Sequence, residues 1–240
     1  MIKIVYVYGA LLSQYGEYAA LKYLEARLSD SGESVEIARM TPSDNLELSG
    51  CDLLYIPPGT ERSLLEAAER LAKDKSEITS YCENGGLALL TGNASALFAR
   101  SISHFSGDTT DGLGIFDMDA SVIDARRYSE FIMTSDRLPG ETIGAINTSI
   151  EFESAEMPLF DVRFDAANIL HIPFEGAVRG NVFATQLIGP LLVRNPALLD
   201  YFCAEMCGHE LPACSEDWHR YALAGYSSAL ATLKKESGAV

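Results

Sequence analysis

Positive charge is scarce in this chain: 18 Lys and Arg stand against 34 Asp and Glu, a formal charge of −16 over 240 residues. Nucleic acids and anionic membrane surfaces are held by basic stripes that displace counterions, and none is visible, so neither is expected as a partner. Long apolar runs are missing too. No stretch approaches the ~20 residues that cross a bilayer, and residues 1–8 are too short a run for a signal-peptide core and read as a first strand ending at Gly9. Five cysteines, an odd number spread unevenly, make no disulfide framework and fit a reducing compartment. A cytoplasmic, soluble protein is the expectation, and its 48% hydrophobic content suits an ordinary globular core rather than disorder. Nothing in the sequence asks for a cofactor.

What is present is an alternation of strand and helix patterns. Apolar strands at 2–8, 34–38 and 52–56 alternate with helical spacing over 17–28 and 63–81, the pattern of a parallel sheet covered on both faces. The Pro57-Pro58-Gly59 turn closes the third strand. The fourth, 85–90, leads to Thr91-Gly92-Asn93, with a helix expected from Ala94. A sharp strand-to-helix turn lifts one side chain clear of a sheet beside free N–H groups, so Thr91 is placed on the exposed turn as the candidate nucleophile. Threonine is poorly suited to that task, because threonine nucleophiles mostly use their own α-amino group as base and an internal Thr91 has none.

Beyond residue 115 the pattern turns to strands with no long helices between them: 121–124, 131–134, 143–147, 169–172 and 182–186. With no linker in sight, they are expected to extend the same sheet. Asn195-Pro196 opens a helix over 197–207, with Asn195 as cap and proline at the first helical position, and another is expected over 215–235. Cys203, Cys207, His209, Cys214 and His219 gather near the C-terminus without a paired-cysteine knuckle, so packed thiols are preferred to zinc and no metal is expected. His171 and His104 are read as satisfied or solvent-facing histidines.

Several of these stretches resemble the class I, triad-type glutamine amidotransferases, in the subgroup of the cobyric acid synthase and lipid II isoglutaminyl synthase glutaminases. The 180–196 segment, GNVFATQLIGPLLVRNP, is similar to the family's N-x-x-G-T-Y-L-H-G-P-x-L-x-x-N-P. Residues 112–117, GLGIFD, look like its G-L-G-L-L-D, and Tyr15-Gly16-Glu17 stands where the subgroup has L-Y-[GS]-D. The resemblance implies a flavodoxin-like α/β fold, with residues 1–205 as the amidotransferase-like domain and 206–240 as a helical extension of it. It implies equally that the chemistry is gone. Thr91 matches the nucleophilic cysteine and Ile188 the general base, leaving Glu17 as the survivor of the catalytic set.

The glycine-rich oxyanion loop has become Pro57-Pro58-Gly59, and proline has no N–H to donate. A glycine- and arginine-containing segment has become 147–151, ending in Glu151. Pro58, Gly59, Gly92, Asn93 and Asn147 remain as candidate ligand-binding positions of a vestigial cleft. The expected role is therefore a non-catalytic subunit that binds a partner, an ATP-dependent ligase or synthetase, or a small ligand. Its rival is an active amidotransferase or hydrolase using Thr91 with His171 or Glu17, or another nucleophile in the same cleft.

Overall fold

The computed structural model describes residues 1–153 and 157–238. In chain order its first part comprises β1 (Ile2–Val7), α1 (Tyr18–Asp30), β2 (Val35–Met40), β3 (Leu53–Ile56), α2 (Glu61–Leu71), α3 (Lys75–Glu83) and β4 (Ala88–Thr91). A tight 3-10 helix, Gly92–Phe98, follows. The strand-rich part comprises β5 (Ser101–Ser103), β6 (Thr109–Asp111), β7 (Ala120–Thr134), β8 (Glu141–Phe152), β9 (Phe160–Asp165), β10 (Phe174–Glu175), β11 (Ala177–Arg179) and β12 (Val182–Thr185). Three helices close the chain: α4 (Leu191–Arg194), α5 (Pro196–Cys207) and α6 (Asp217–Glu236).

The first sheet runs β11-β12-β4-β3-β1-β2, parallel throughout except for the antiparallel edge β11. Its inner strands are buried on both faces, and alternate residues go to opposite cores, as the two-residue period of a strand requires. Val5, Leu54, Ala88 and Leu90 pack toward α2 and α3; Ile4, Tyr55, Leu89 and Phe183 pack toward α1 and α5. Helix α2 starts where Thr60, in extended conformation, accepts the Ser63 N–H at 3.0 Å on its side-chain oxygen. Its apolar stripe Leu64, Ala67, Ala68 and Leu71 then faces the sheet.

The strand-rich part departs from the sequence expectation. Only β11 and β12 join the first sheet; the others build a second sheet ordered β10-β9-β7-β5-β6, with β8 paired to β7. Alternation locates a strand and says nothing of which edge it pairs with. The segments 121–124 and 131–134 are the two ends of one strand, β7, joined across an irregularity between Val122 and Arg127. Residues 169–172 form no strand and line a cavity. Nor does Asn195 cap α5. Its side chain reaches across to β8, accepting Ile143 N–H and donating to Ile143 O, both at 2.8 Å, and locks the C-terminal helices to the long β7–β8 hairpin. A bridge between Ala145 and Ile188 fastens the two sheets together beside the end of β4.

Candidate functional site

The parallel strands β1, β3, β4 and β12 end at the same edge of the first sheet, where ligands bind in such sheets. Four connections meet there: 8–17 after β1, 57–60 after β3, the Gly92 turn after β4, and 186–190 after β12. The resemblance puts its vestigial residues on these loops.

The turn itself is one residue later than expected. Thr91 is the last residue of β4, extended (φ −119°, ψ 150°) and fully buried, so it occupies no exposed place. Its hydroxyl lies beside the Tyr55 phenol, which donates to Glu17 Oε2 at 2.6 Å. The chain turns at Gly92, in the left-handed region at φ +57°. A Cβ built there would lie 2.6 Å from Pro58 Cβ and 2.9 Å from Ile188 Cγ2. The direction a nucleophilic side chain would take from this turn is thus filled by the proline of the β3 loop and the isoleucine of the β12 loop. Both are buried.

The hydrogen-bond donors of the β3 loop and of Gly92 are missing or engaged. Pro57 and Pro58 have none to give. The next N–H, of Gly59, donates to Asn93 Oδ1 at 3.0 Å, and Asn93 Nδ2 returns a bond to Gly59 O at 2.8 Å. This pair ties the β3 loop to the β4 turn and leaves no free N–H at Gly59 for an oxyanion. The Gly92 N–H is likewise engaged, by Leu187 O at 3.2 Å.

Glu17 has a fixed structural assignment. Its Oε2 accepts from Tyr55 and its Oε1 from the Gly189 and Leu191 N–H groups, both at 3.1 Å, so one carboxylate ties the β1 loop to the β12 loop. Burial pushes its pKa up and the three donors oppose that. Asn147 serves a second tie at the rim. Its Oδ1 accepts from Arg126 Nε at 2.7 Å, and the same guanidinium reaches the Tyr15 hydroxyl at 2.5 Å and Glu61 at 3.0 Å. Tyr15 is held at φ +58°, a conformation uncommon for a residue with a side chain. Glu151 is paired with Arg127.

The alternative nucleophiles and bases lie elsewhere. His171 lines a separate cavity that neither Gly92, Pro58 nor Ile188 borders, and His104 bonds Thr110 Oγ1 at 2.7 Å through its Nε2. All five cysteines are free; burial pushes the Cys82 thiol up to about 12 and raises those of Cys51 and Cys203, which disfavours a thiolate. Among the described residues no group of three or more His, Cys, Asp or Glu side chains is arranged to hold a metal ion, and no helix is long and apolar enough to cross a membrane.

Two residues of that separate cavity escaped the sequence reading. Glu175 is fully buried, held by Thr185 Oγ1 at 2.6 Å and the Gln186 N–H at 2.7 Å, and burial pushes its pKa up to about 7. Gln186 lies beside it, its buried side-chain carbonyl without a partner among the described residues. An acid before a glycine in a short strand-rich stretch carries no signal of burial.

No protein-family model matches the chain. It is 23% identical over 196 residues to the GatD subunit of the glutamine-hydrolysing lipid II isoglutaminyl synthase of Staphylococcus aureus, spanning 82% of this chain and 80% of that one. The subunit of the same name from Streptococcus pneumoniae is 22% identical over 200 residues, with 82% and 77% covered. Among solved structures, a glutamine amidotransferase superposes with a TM-score of 0.58 at 19% identity, over 85% of this chain and 98% of its own. A second, from Thermotoga maritima, gives 0.51 at 11% identity, over 99% and 94%.

Proposed function

From the premise of a class I glutamine amidotransferase-like chain with the flavodoxin-like fold of that family, we propose that this protein does not hydrolyse glutamine and acts as a binding subunit for an ATP-dependent ligase. The observation that carries this reading is the β4 turn. Its residue is Gly92, which has no side chain, and the space beside it is occupied by Pro58 and Ile188.

Hydrolysis by such a site requires an attacking atom, a base and an oxyanion donor. Gly92 supplies no attacking atom and Ile188 can accept no proton. Pro58 has no N–H, and that of Gly59 is held by Asn93. Removing a nucleophile–base pair costs most of a rate enhancement of roughly 10⁶, because the two act as a unit. Thr91 gives no replacement, being buried on the strand, and Glu17 is committed to Tyr55, Gly189 and Leu191. The GatD relatives are named as subunits of a synthase, and a ligase-type partner is carried over from that likeness.

The test is ammonia release from glutamine, measured for the chain alone and mixed with a candidate ligase, alongside co-purification of the two. We expect a complex and no ammonia above background. Turnover of glutamine by the chain would overturn the reading.

A further inference from the structure

Helix α6 is fixed to the rest of the chain along one side only. His219 and Leu233 are its buried residues, and Leu233 packs with Tyr226, Ala229 and Leu230 against Ile132 and Ile143. The Tyr226 hydroxyl donates to Glu141 O at 2.7 Å and Lys234 pairs with the Glu141 carboxylate at 2.5 Å, so the rotation of the helix about its axis is set. The opposite side is a seam of Asp217, Tyr221, Ala224, Ser228, Ala231 and Lys235, all exposed. They follow one another in steps of four, three, four, three and four residues, the spacing that keeps a line of side chains facing a second helix.

The content of this seam is unlike that of a solvated face. In a chain of charge −16, no residue from Tyr221 to Leu233 is charged, and Tyr221 and Leu223 are 67% and 45% exposed. Hydroxyls beside the seam turn back onto the helix: Ser227 Oγ donates to Leu223 O at 2.9 Å and Thr232 Oγ1 to Ser228 O at 3.0 Å. Gly225 flanks it, where glycine disfavours a helix, and a Cβ built there would meet nothing within 4 Å. No described residue of the chain calls for a glycine at that point; a second backbone lying close does.

The seam is its own complement. Turned end for end about a two-fold axis at the level of Tyr226, it sets Ala224 against the partner's Ser228, Tyr221 against the partner's Ala231 and Asp217 against the partner's Lys235. Small residues meet at the centre, the large ring lies over a methyl group, and opposite charges meet at both ends. The present partner of Asp217, Arg220 at 2.9 Å, forms an exposed pair with it and so holds it weakly. Antiparallel helices also bring opposite ends of their dipoles together. We propose that this face of α6 is the interface of a two-fold dimer, the partner being a second copy of this chain. The proposal does not depend on the reading of the β4 turn. One pair of 20-residue helices, each about 30 Å long, stays below the ~1,200 Å² of a standard interface, so the dimer is a weak one.

Sedimentation equilibrium of the whole chain at about 150 mM salt, where repulsion between two acidic copies is screened, measures the association. The mass should rise from monomer toward dimer between about 5 and 500 μM, with a dissociation constant on the order of 10–100 μM. Ser228→Arg, at the centre of the seam and exposed in the monomer, should weaken the dimer at least about tenfold with the far-UV circular dichroism unchanged. Asp217→Lys should weaken it at least about threefold, and Lys235→Glu added to it should restore the affinity, because opposite charges then meet again at both ends. A chain that stays monomeric at about 500 μM, a dimer indifferent to Ser228→Arg, or no recovery in the double variant would each overturn the proposal. So would a monomeric chain whose Ser228→Arg variant no longer binds a ligase, which would assign the face to that partner.

Discussion

Replacing Gly92 by alanine tests the reading of the β4 turn with one methyl group. Two costs arise, and the structure separates them. At φ +57° an alanine sits in the left-handed region, which disfavours a residue with a Cβ by roughly 1–2 kcal/mol. Its Cβ would also stand 2.6 Å from Pro58 Cβ and 2.9 Å from Ile188 Cγ2, and overpacking a closed site typically costs about 1–3 kcal/mol. Together Gly92→Ala should lose about 2–5 kcal/mol, or roughly 4–20 °C of melting temperature for a chain of this size.

Gly208→Ala is the control: φ there is +69° but nothing lies within 4 Å of the added methyl, so it carries the backbone cost alone. Urea unfolding followed by circular dichroism measures both. Gly92→Ala should exceed Gly208→Ala by at least about 1 kcal/mol, and Pro58→Gly in the Gly92→Ala background should recover part of that difference, the positive coupling expected of residues in contact. If the two alanine variants cost the same, or if Pro58→Gly adds to the damage independently, the space beside Gly92 is not filled as described and the argument from the closed turn fails.

Glu175, with a pKa near 7 against an ordinary value of 4.5, binds its proton more tightly folded than unfolded. Its stabilisation is complete below about pH 4.5 and is lost as pH rises to about 7, by an amount on the order of 3 kcal/mol; the melting temperature of Glu175→Gln relative to the parent should therefore climb between pH 5 and pH 8, and a flat difference would show the carboxyl to be hydrated. Glu17→Ala orphans three donors, the Tyr55 hydroxyl and the Gly189 and Leu191 N–H groups, and should cost at least about 3 kcal/mol in chemical denaturation; a loss under about 1 kcal/mol would mean that the β12 loop does not depend on it. Glutamine at about 10 mM should leave the melting temperature unchanged, whereas a ligand of 100 μM dissociation constant would stabilise by roughly 2.7 kcal/mol; a clear upward shift would revive a substrate site.

The parallel sheet was legible in the sequence because its inner strands are buried on both faces and α2 carries a one-sided stripe, so the pattern and the physics coincide at Val5, Leu54 and Leu90 and at Leu64, Ala67 and Leu71. The second sheet was not. Strands such as 143–147 announce themselves by alternation, but pairing partners are set by tertiary contacts such as the Asn195 side chain on Ile143 and the bridge from Ala145 to Ile188. At the site, the motif comparison put its residues on loops that meet at one edge of the first sheet, and it put the turn at Thr91 where the backbone turns at Gly92. Thr91 is the natural match for a side-chain nucleophile in a string of letters, yet only the sign of φ at Gly92 tells which residue the backbone presents.

That one-residue difference governs the rescue experiment. Restoring a cysteine at Thr91 together with a histidine at Ile188 puts the thiol at the end of β4, where the existing side chain is fully buried, not on the turn. The geometric equivalent is Gly92→Cys with Ile188→His, and there the new Cβ meets Pro58 at 2.6 Å, so Pro58→Gly must accompany it. Pro58→Gly also returns an N–H to the β3 loop, while the Gly59 N–H stays with Asn93. A single missing oxyanion donor typically costs about 10²–10³ in rate. We therefore expect no ammonia release from Thr91→Cys/Ile188→His, and at most a trace from Pro58→Gly/Gly92→Cys/Ile188→His, read by iodoacetamide labelling of the new thiol as well as by turnover. Activity in the Thr91 variant but not in the Gly92 variant would show that Thr91, and not Gly92, faces the cleft, and the account of the turn would be wrong.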